Sequence, residues 1–93
     1  GLEICDIYMG LGAIDLHKAN YDAARSLLQQ ALQLAQRDRD RWRECNCLTG
    51  LIMTELEAGD AIAALAYCET MTNLVAQIEG KESESGVAAA LIA

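Results

Sequence analysis

Two cysteines, Cys45 and Cys47, stand in a C-x-C arrangement of the kind that can hold a metal ion. The residues around them have the apolar spacing of a helix, and side chains two residues apart on a helix point to different sides. One ion could not reach both thiolates without distorting the backbone. The chain has no second pair of this kind and a single histidine, His17. We therefore predict no metal site and expect the four cysteines to be buried and reduced.

His17 and the carboxylates of Asp15 and Glu55 are the side chains best suited to acid–base chemistry. His17 follows an apolar pattern and precedes Lys18, where a cation suits the C-terminus of a helix. Catalysis would also need an activated nucleophile and an orienting carboxylate, and no motif supplies them. Asp15 and Glu55 are 40 positions apart, so we expect them to be solvated or paired with arginine. We predict no catalytic residues, no cofactor and no enzymatic activity.

A basic run, RDRDRWRE at residues 37–44, contains four of the seven basic residues of the chain. The interleaved Asp38, Asp40 and Glu44 offset this charge, and we expect surface ion pairs rather than a phosphate-binding patch. The net charge of -7 also argues against direct contact with nucleic acid or with an anionic membrane surface. Trp42, within the run, either anchors a partner or packs under the following hairpin.

The length and the bulk composition indicate one small domain. The 93 residues are 53% hydrophobic and include no proline and no phenylalanine, so a core would consist of small and aliphatic side chains. No apolar run approaches the ~20 residues of a membrane span. We also see no signal peptide, which would show a basic segment followed by an apolar one, and we therefore expect a cytoplasmic location. The apolar patterns run up to Gly1 and Ala93, from which we expect a piece of a longer protein.

The sequence repeats itself at a period of 40 residues. Cys5, Gly10 and Leu11 recur as Cys45, Gly50 and Leu51, and the pair at 23–24 recurs at 63–64. A fixed period of this size is typical of helical arrays. We assign the whole chain, residues 1–93, to one domain with repeat one at about 3–40, repeat two at about 41–80 and a truncated third repeat at about 83–93.

Each repeat is predicted to form two antiparallel helices. The apolar spacing predicts helices near 3–18, 21–37, 41–58 and 61–78, with Asn20 and Asp60 as N-caps. Alanine at 23–24 and 63–64 would let the paired helices cross closely. The residues predicted to face the core are Ile4, Ile7, Tyr8, Leu11 and Ile14 in the first helix, Ala24, Leu27, Leu28, Ala31, Leu34 and Ala35 in the second, Trp42, Cys45, Leu48, Leu51 and Ile52 in the third, and Ala64, Leu65, Cys68, Met71, Leu74 and Val75 in the fourth.

The first repeat resembles the tetratricopeptide repeat. The matching residues are Tyr8, Leu11, Gly12, Asn20, Tyr21, Ala24, Leu28, Ala31 and Leu32, and the second repeat is a degenerate copy that keeps Leu48, Leu51, Gly59, Asp60, Ala64 and Leu74. The period of 40 exceeds the usual ~34, and the terminal proline of the family is absent. Longer repeats of this kind look like the helical regions of large bacterial ATPase and transcriptional regulators. The resemblance implies an all-α fold of antiparallel hairpins stacked as an α-solenoid.

The resemblance also implies a partner-binding groove lined by the first helix of each repeat. The positions that correspond to it are Asp6, Met9, Ala13, His17, Asn46, Thr49, Met53 and Glu57. The function expected is protein–protein interaction or scaffolding within a larger bacterial regulator, with a protein segment or a neighbouring domain as the partner. The alternative is an effector-sensing domain that binds a small ligand and controls an attached ATPase or transcription module. Exposed repeat ends would favour a homodimer.

Overall fold

The computed structural model describes residues 2–79, and this part of the chain is all-helical, with four α-helices and no strand. They are α1 (Leu2–His17), α2 (Tyr21–Arg37), α3 (Arg41–Ala58) and α4 (Ala61–Ile78). The predicted helix boundaries are confirmed to within one residue. The third repeat predicted at about 83–93 lies outside the described residues.

The turns between the helices are short and are fixed by local polar groups. Asp60 accepts a hydrogen bond from the backbone N–H of Ala63 at 2.9 Å, as its assignment as N-cap requires. Asp40, which was not predicted as a cap, caps α3 in the same way and accepts from the backbone N–H of Arg43 at 3.1 Å. Asn20 precedes α2 as predicted, but its side chain makes no capping hydrogen bond. Its Nδ2 instead donates to the Asp15 carboxylate at 3.4 Å.

The helices pack in chain order. Contacts join α1 to α2, α2 to α3 and α3 to α4, and α1 also meets α3. Helices that pack together across a turn of two or three residues are antiparallel neighbours. This arrangement places α1 and α3 side by side and α2 against both of them.

Leu28 of α2 lies at the centre of this packing, next to two glycines. A Cβ atom added to Gly12 would lie 2.9 Å from the Leu28 Cγ, and one added to Gly50 would lie 3.1 Å from both Leu28 methyl carbons. Real Cβ atoms essentially never show a separation of 2.9 Å, and one of 3.1 Å would require Leu28 to shift. Glycine at both positions therefore lets α1 and α3 approach Leu28 closely. A second cluster consists of Cys5, Ala31, Ala35 and Cys47, all with no exposed surface.

The predicted core faces are partly wrong. In α2, Ala24, Leu28, Ala31 and Ala35 are buried as predicted, and Leu27 and Leu34 are half-buried. In α1 the structure buries Cys5 and Gly12, and the predicted residues Ile4, Ile7, Leu11 and Ile14 are 45–58% exposed. Trp42, Leu65 and Val75 are exposed as well. The predicted stripe in α1 exists, but it lies on the side of the helix away from α2 and α3.

Alanine at the helix crossings is expected to be essential for close packing. Ala24 is fully buried and Ala64 is 2% exposed, and Ala23 is exposed. We expect Ala24→Leu and Ala64→Leu each to lower the free energy of unfolding by about 1–3 kcal/mol through overpacking. Ala23→Leu is the matched control and should change it by less than about 0.5 kcal/mol. Urea denaturation followed by circular dichroism measures all three, and equal midpoints would contradict this account of the crossings.

Candidate functional site

A concave cavity of about 470 Å³ lies between α1 and α3, and Leu28 of α2 is part of its lining. Seven of the eight residues predicted to line a groove are among its lining residues. These seven are Met9, Ala13, His17, Asn46, Thr49, Met53 and Glu57. Side chains from two helices that the chain order separates by α2 therefore meet at one surface, because α1 and α3 pack directly against each other.

The lining of the cavity combines apolar surface with a few polar groups. Met9 and Met53 contribute flexible thioether side chains, which adapt to differently shaped partners. Small residues, among them Ala13 and Gly50, also line the cavity. The lining is completed by five residues that were not predicted to belong to a groove, namely Leu16, Ala19, Tyr21, Leu28 and Gly50. They were missed because the groove was assigned from the first helix of each repeat at a fixed spacing.

The polar groups of the cavity are His17, Asn46, Thr49 and Glu57. The Thr49 hydroxyl donates a hydrogen bond to the Cys45 carbonyl at 2.9 Å, so this donor is already used within the helix. Glu57 is exposed and forms no ion pair with any residue of the described range 2–79. The cavity therefore offers a free carboxylate next to an apolar surface.

Asp6, the eighth predicted groove residue, does not line the cavity. Its carboxylate accepts hydrogen bonds from Arg43 Nε at 2.7 Å and from Arg43 Nη2 at 2.8 Å. Arg43 also pairs with Asp40 at 2.8 Å, so one guanidinium joins α1 to the start of α3. Hydrogen bonds to this guanidinium hold the pKa of the Asp6 carboxyl below its usual range. In this structure Asp6 ties α1 to α3 through Arg43, and neither residue lines the cavity.

Glu55 is the most buried carboxylate of the chain segment described, with 3% of its side chain exposed. It accepts hydrogen bonds from Arg25 Nε at 2.6 Å and Arg25 Nη2 at 2.7 Å, the bidentate geometry that suits a guanidinium. These bonds raise the pKa of the Arg25 guanidinium. Of the two alternatives predicted for Glu55, solvated or paired with arginine, the structure shows the second, and the pair joins α2 to α3.

The cysteines show no sign of chemical activation. Cys5 and Cys47 are fully buried, and Cys45 and Cys68 are half-buried. The Cys5 thiol donates to the Ala31 carbonyl at 3.3 Å. Burial raises the pKa of the Cys47 thiol to about 12 and also raises that of Cys5 and Cys45. A reactive cysteine needs the opposite shift, so these thiols serve as small core side chains.

Within residues 2–79, no group of three or more histidine, cysteine or acidic side chains is placed so that it could hold a metal ion. None of the four described helices combines the length and the apolar character that crossing a membrane requires. Comparison of the chain with protein-family models, with curated proteins and with solved structures finds no match.

Proposed function

We propose that this chain is a protein-interaction module whose cavity between α1 and α3 binds a segment of another protein. The observation that supports this proposal is the convergence of Met9, Met53 and Glu57 on one concave surface. An apolar surface with few polar groups provides affinity through burial, and the polar groups fix the orientation of the bound segment.

The charge of the site indicates the chemistry of the partner. The chain carries a net charge of -7, and Glu57 is a free acceptor at the cavity. A partner segment with one apolar side chain and a lysine or arginine close to it would fit both properties. An acidic segment would be repelled by the same charge distribution.

The repeat pattern provides the wider context for this proposal. The 40-residue period and the chain-order packing are what hairpins of the tetratricopeptide type would produce. We propose that the two hairpins form part of an α-solenoid and belong to the helical-repeat region of a larger, cytoplasmic bacterial regulatory protein. The partner is then either a separate protein or a neighbouring domain of the same protein.

A second candidate function is the sensing of a small effector. The cavity volume of about 470 Å³ lies within the ~300–1,000 Å³ that small-molecule sites occupy. In this function the bound effector would control an attached ATPase or transcription module. The two candidates differ in the ligand and share the site.

A peptide selection tests the proposal directly. A random peptide library displayed on phage is selected on the immobilised chain, and the enriched peptides are synthesised and measured by fluorescence anisotropy. We expect peptides that combine an apolar and a basic residue, and we expect Met53→Arg to weaken their binding at least tenfold. Leu56→Arg is the matched control, since Leu56 is also exposed on α3 but does not line the cavity. Its binding should stay within twofold of the original chain.

Two results would contradict the peptide-binding proposal. One is equal loss of binding in Met53→Arg and Leu56→Arg, which would place the peptides elsewhere. The other is the absence of enriched peptides together with a small molecule, found by thermal-shift screening, whose stabilising effect Met53→Arg removes. The second result would favour the effector-sensing function.

A further inference from the structure

The outer face of α1 carries a stripe of large apolar side chains. Ile4, Ile7, Leu11 and Ile14 recur at helical spacing and are 45–58% exposed. They are separate from the cavity residues of α1, because none of the four contributes to its lining. A stripe of four branched side chains on one helix is a typical interaction surface rather than a set of scattered exposed residues.

The repeat shows how such a face is covered within the chain itself. Forty positions further along, these residues correspond to Glu44, Cys47, Leu51 and Thr54 of α3, each of which is at most 4% exposed. Cys47 packs in one cluster with Ala31 and Ala35 of α2. At Cys47, therefore, the helix that precedes α3 covers the face that is open on α1.

The fourth helix carries the counterpart of the covering surface. By the same shift, α4 corresponds to α2, and Arg25 and Ala35 of α2 correspond to Leu65 and Val75 of α4. Arg25 bonds to α3 and Ala35 is fully buried, but Leu65 is 63% and Val75 37% exposed. Within residues 2–79, the two positions of α4 that correspond to Arg25 and Ala35 are thus apolar and are not covered by another helix.

We propose that two copies of this chain associate end to end, with α4 of one copy packed on α1 of the next in the way that α2 packs on α3. The contact is heterologous, since two different surfaces of the chain meet. A symmetric pairing of two α1 faces would leave every α4 face open. The end-to-end contact can continue from copy to copy, and it then covers both kinds of face except at the two ends of the array. It uses surfaces outside the cavity and so goes beyond the proposed function.

One position makes this contact distinguishable from unspecific apolar association. In the internal contact of α2 with α3, Arg25 forms an ion pair with Glu55. In the end-to-end contact the corresponding residues are Leu65 of one copy and Asp15 of the next. An arginine at position 65 would restore the ion pair, whereas it would weaken an association that depended only on exposed apolar surface.

Sedimentation velocity between 10 and about 200 µM measures the effect in the full chain. We expect Leu65→Arg to tighten the association about twofold to fivefold, which is what one well-placed surface ion pair supplies. Leu65→Glu places a like charge opposite Asp15 and should weaken it more than tenfold. Thr70→Arg adds the same charge to an exposed position elsewhere on α4 and should leave it within twofold. Adding Asp15→Asn to the Leu65→Arg chain should remove the gain.

A mixing experiment then separates the end-to-end contact from a symmetric one. Leu11→Glu damages the α1 face and Val75→Glu damages the α4 face, and circular dichroism verifies that both exposed positions tolerate the change. We expect each variant to be monomeric alone and an equimolar mixture to form a one-to-one dimer, because each retains the surface that the other has lost.

A mixture that stays monomeric, or a Leu65→Arg chain that associates no better than Leu65→Glu, would overturn the proposal. A monomeric original chain and a monomeric Leu65→Arg chain at 200 µM would overturn it as well, and would leave the two faces to another protein.

Discussion

Replacing Arg25 with methionine is expected to lower the free energy of unfolding by about 3 kcal/mol. Methionine retains most of the aliphatic length of arginine but supplies none of the donors that bond to Glu55 at 2.6 and 2.7 Å. The Glu55 side chain is 3% exposed, so its carboxylate would remain buried without a charge partner. Removing one partner of a buried pair typically costs ~3–5 kcal/mol, and the partial exposure of Arg25 places this case at the lower end. Urea denaturation gives the value.

Two further variants determine whether the unpaired carboxylate causes the loss. The double variant Arg25→Met with Glu55→Leu removes both charges and should recover stability to within about 1 kcal/mol of the original chain. Asp22→Asn removes the other carboxylate that bonds to Arg25, but Asp22 is fully exposed and the change should cost less than about 0.5 kcal/mol. If the double variant is as unstable as the single one, the loss arises from altered packing rather than from the buried charge.

Leu28→Ala is expected to cost about 3 kcal/mol of unfolding free energy. Leu28 is 4% exposed and lies next to glycines of both neighbouring helices, so truncation leaves a cavity that α1 and α3 cannot close without moving. Leu56→Ala provides the matched comparison, because Leu56 is 58% exposed and its truncation should cost less than about 1 kcal/mol. Thermal or urea unfolding of the two variants gives the difference, and similar costs would contradict the central position of Leu28.

The same contact predicts that Gly50→Ala lowers the free energy of unfolding in the original chain and raises it in the Leu28→Ala variant. In the original chain the added methyl would lie 3.1 Å from two carbons of Leu28 and should destabilise the packing. In the Leu28→Ala background the methyl would fill part of the new cavity, and alanine is favoured over glycine in a helix by about 1 kcal/mol. A double-mutant cycle measures this coupling. Additive effects of the two substitutions would show that the glycine is not there to accommodate Leu28.

The helix boundaries could be predicted because the relevant signals are local. Apolar spacing fixes the extent of each helix, and Asp60 is a cap whose side chain bonds three residues away. The open face of α1 could not be predicted in the same way. The stripe of Ile4, Ile7, Leu11 and Ile14 has the pattern of a core face, but a pattern does not contain the helix that would cover it. The residues that α1 actually buries, such as Cys5 and Gly12, are small, and their burial depends on α2 and α3.

The lining of the cavity was predictable to the extent that it follows the repeat. The period relates His17 to Glu57, which are 40 positions apart, and Met9 and Met53 are 44 positions apart. The packing of α1 on α3 brings all four to one surface. The ion pairs were not predictable in detail, because Arg25 and Glu55 are 30 residues apart and Arg43 and Asp6 are 37 apart. No local rule selects one arginine among several for such a distant carboxylate. The repeat position of Asp6 predicts a groove residue, whereas its carboxylate pairs with Arg43 and does not line the cavity.

The packing of the helices in chain order has a consequence for the kinetics of the molecule. Nearly all contacts join helices that are adjacent along the chain, so few long loops must close before stabilising contacts form, and folding should occur in microseconds to milliseconds. Among the described helices, α4 packs on α3 alone, apart from the hydrogen bond between Gln29 and Tyr67 at 3.1 Å. Its amide protons should therefore exchange with solvent through a partial opening that leaves α1, α2 and α3 in place. Protection from hydrogen exchange would then be lowest in the helix that carries Leu65, and any partner that covers this helix would slow the exchange there first.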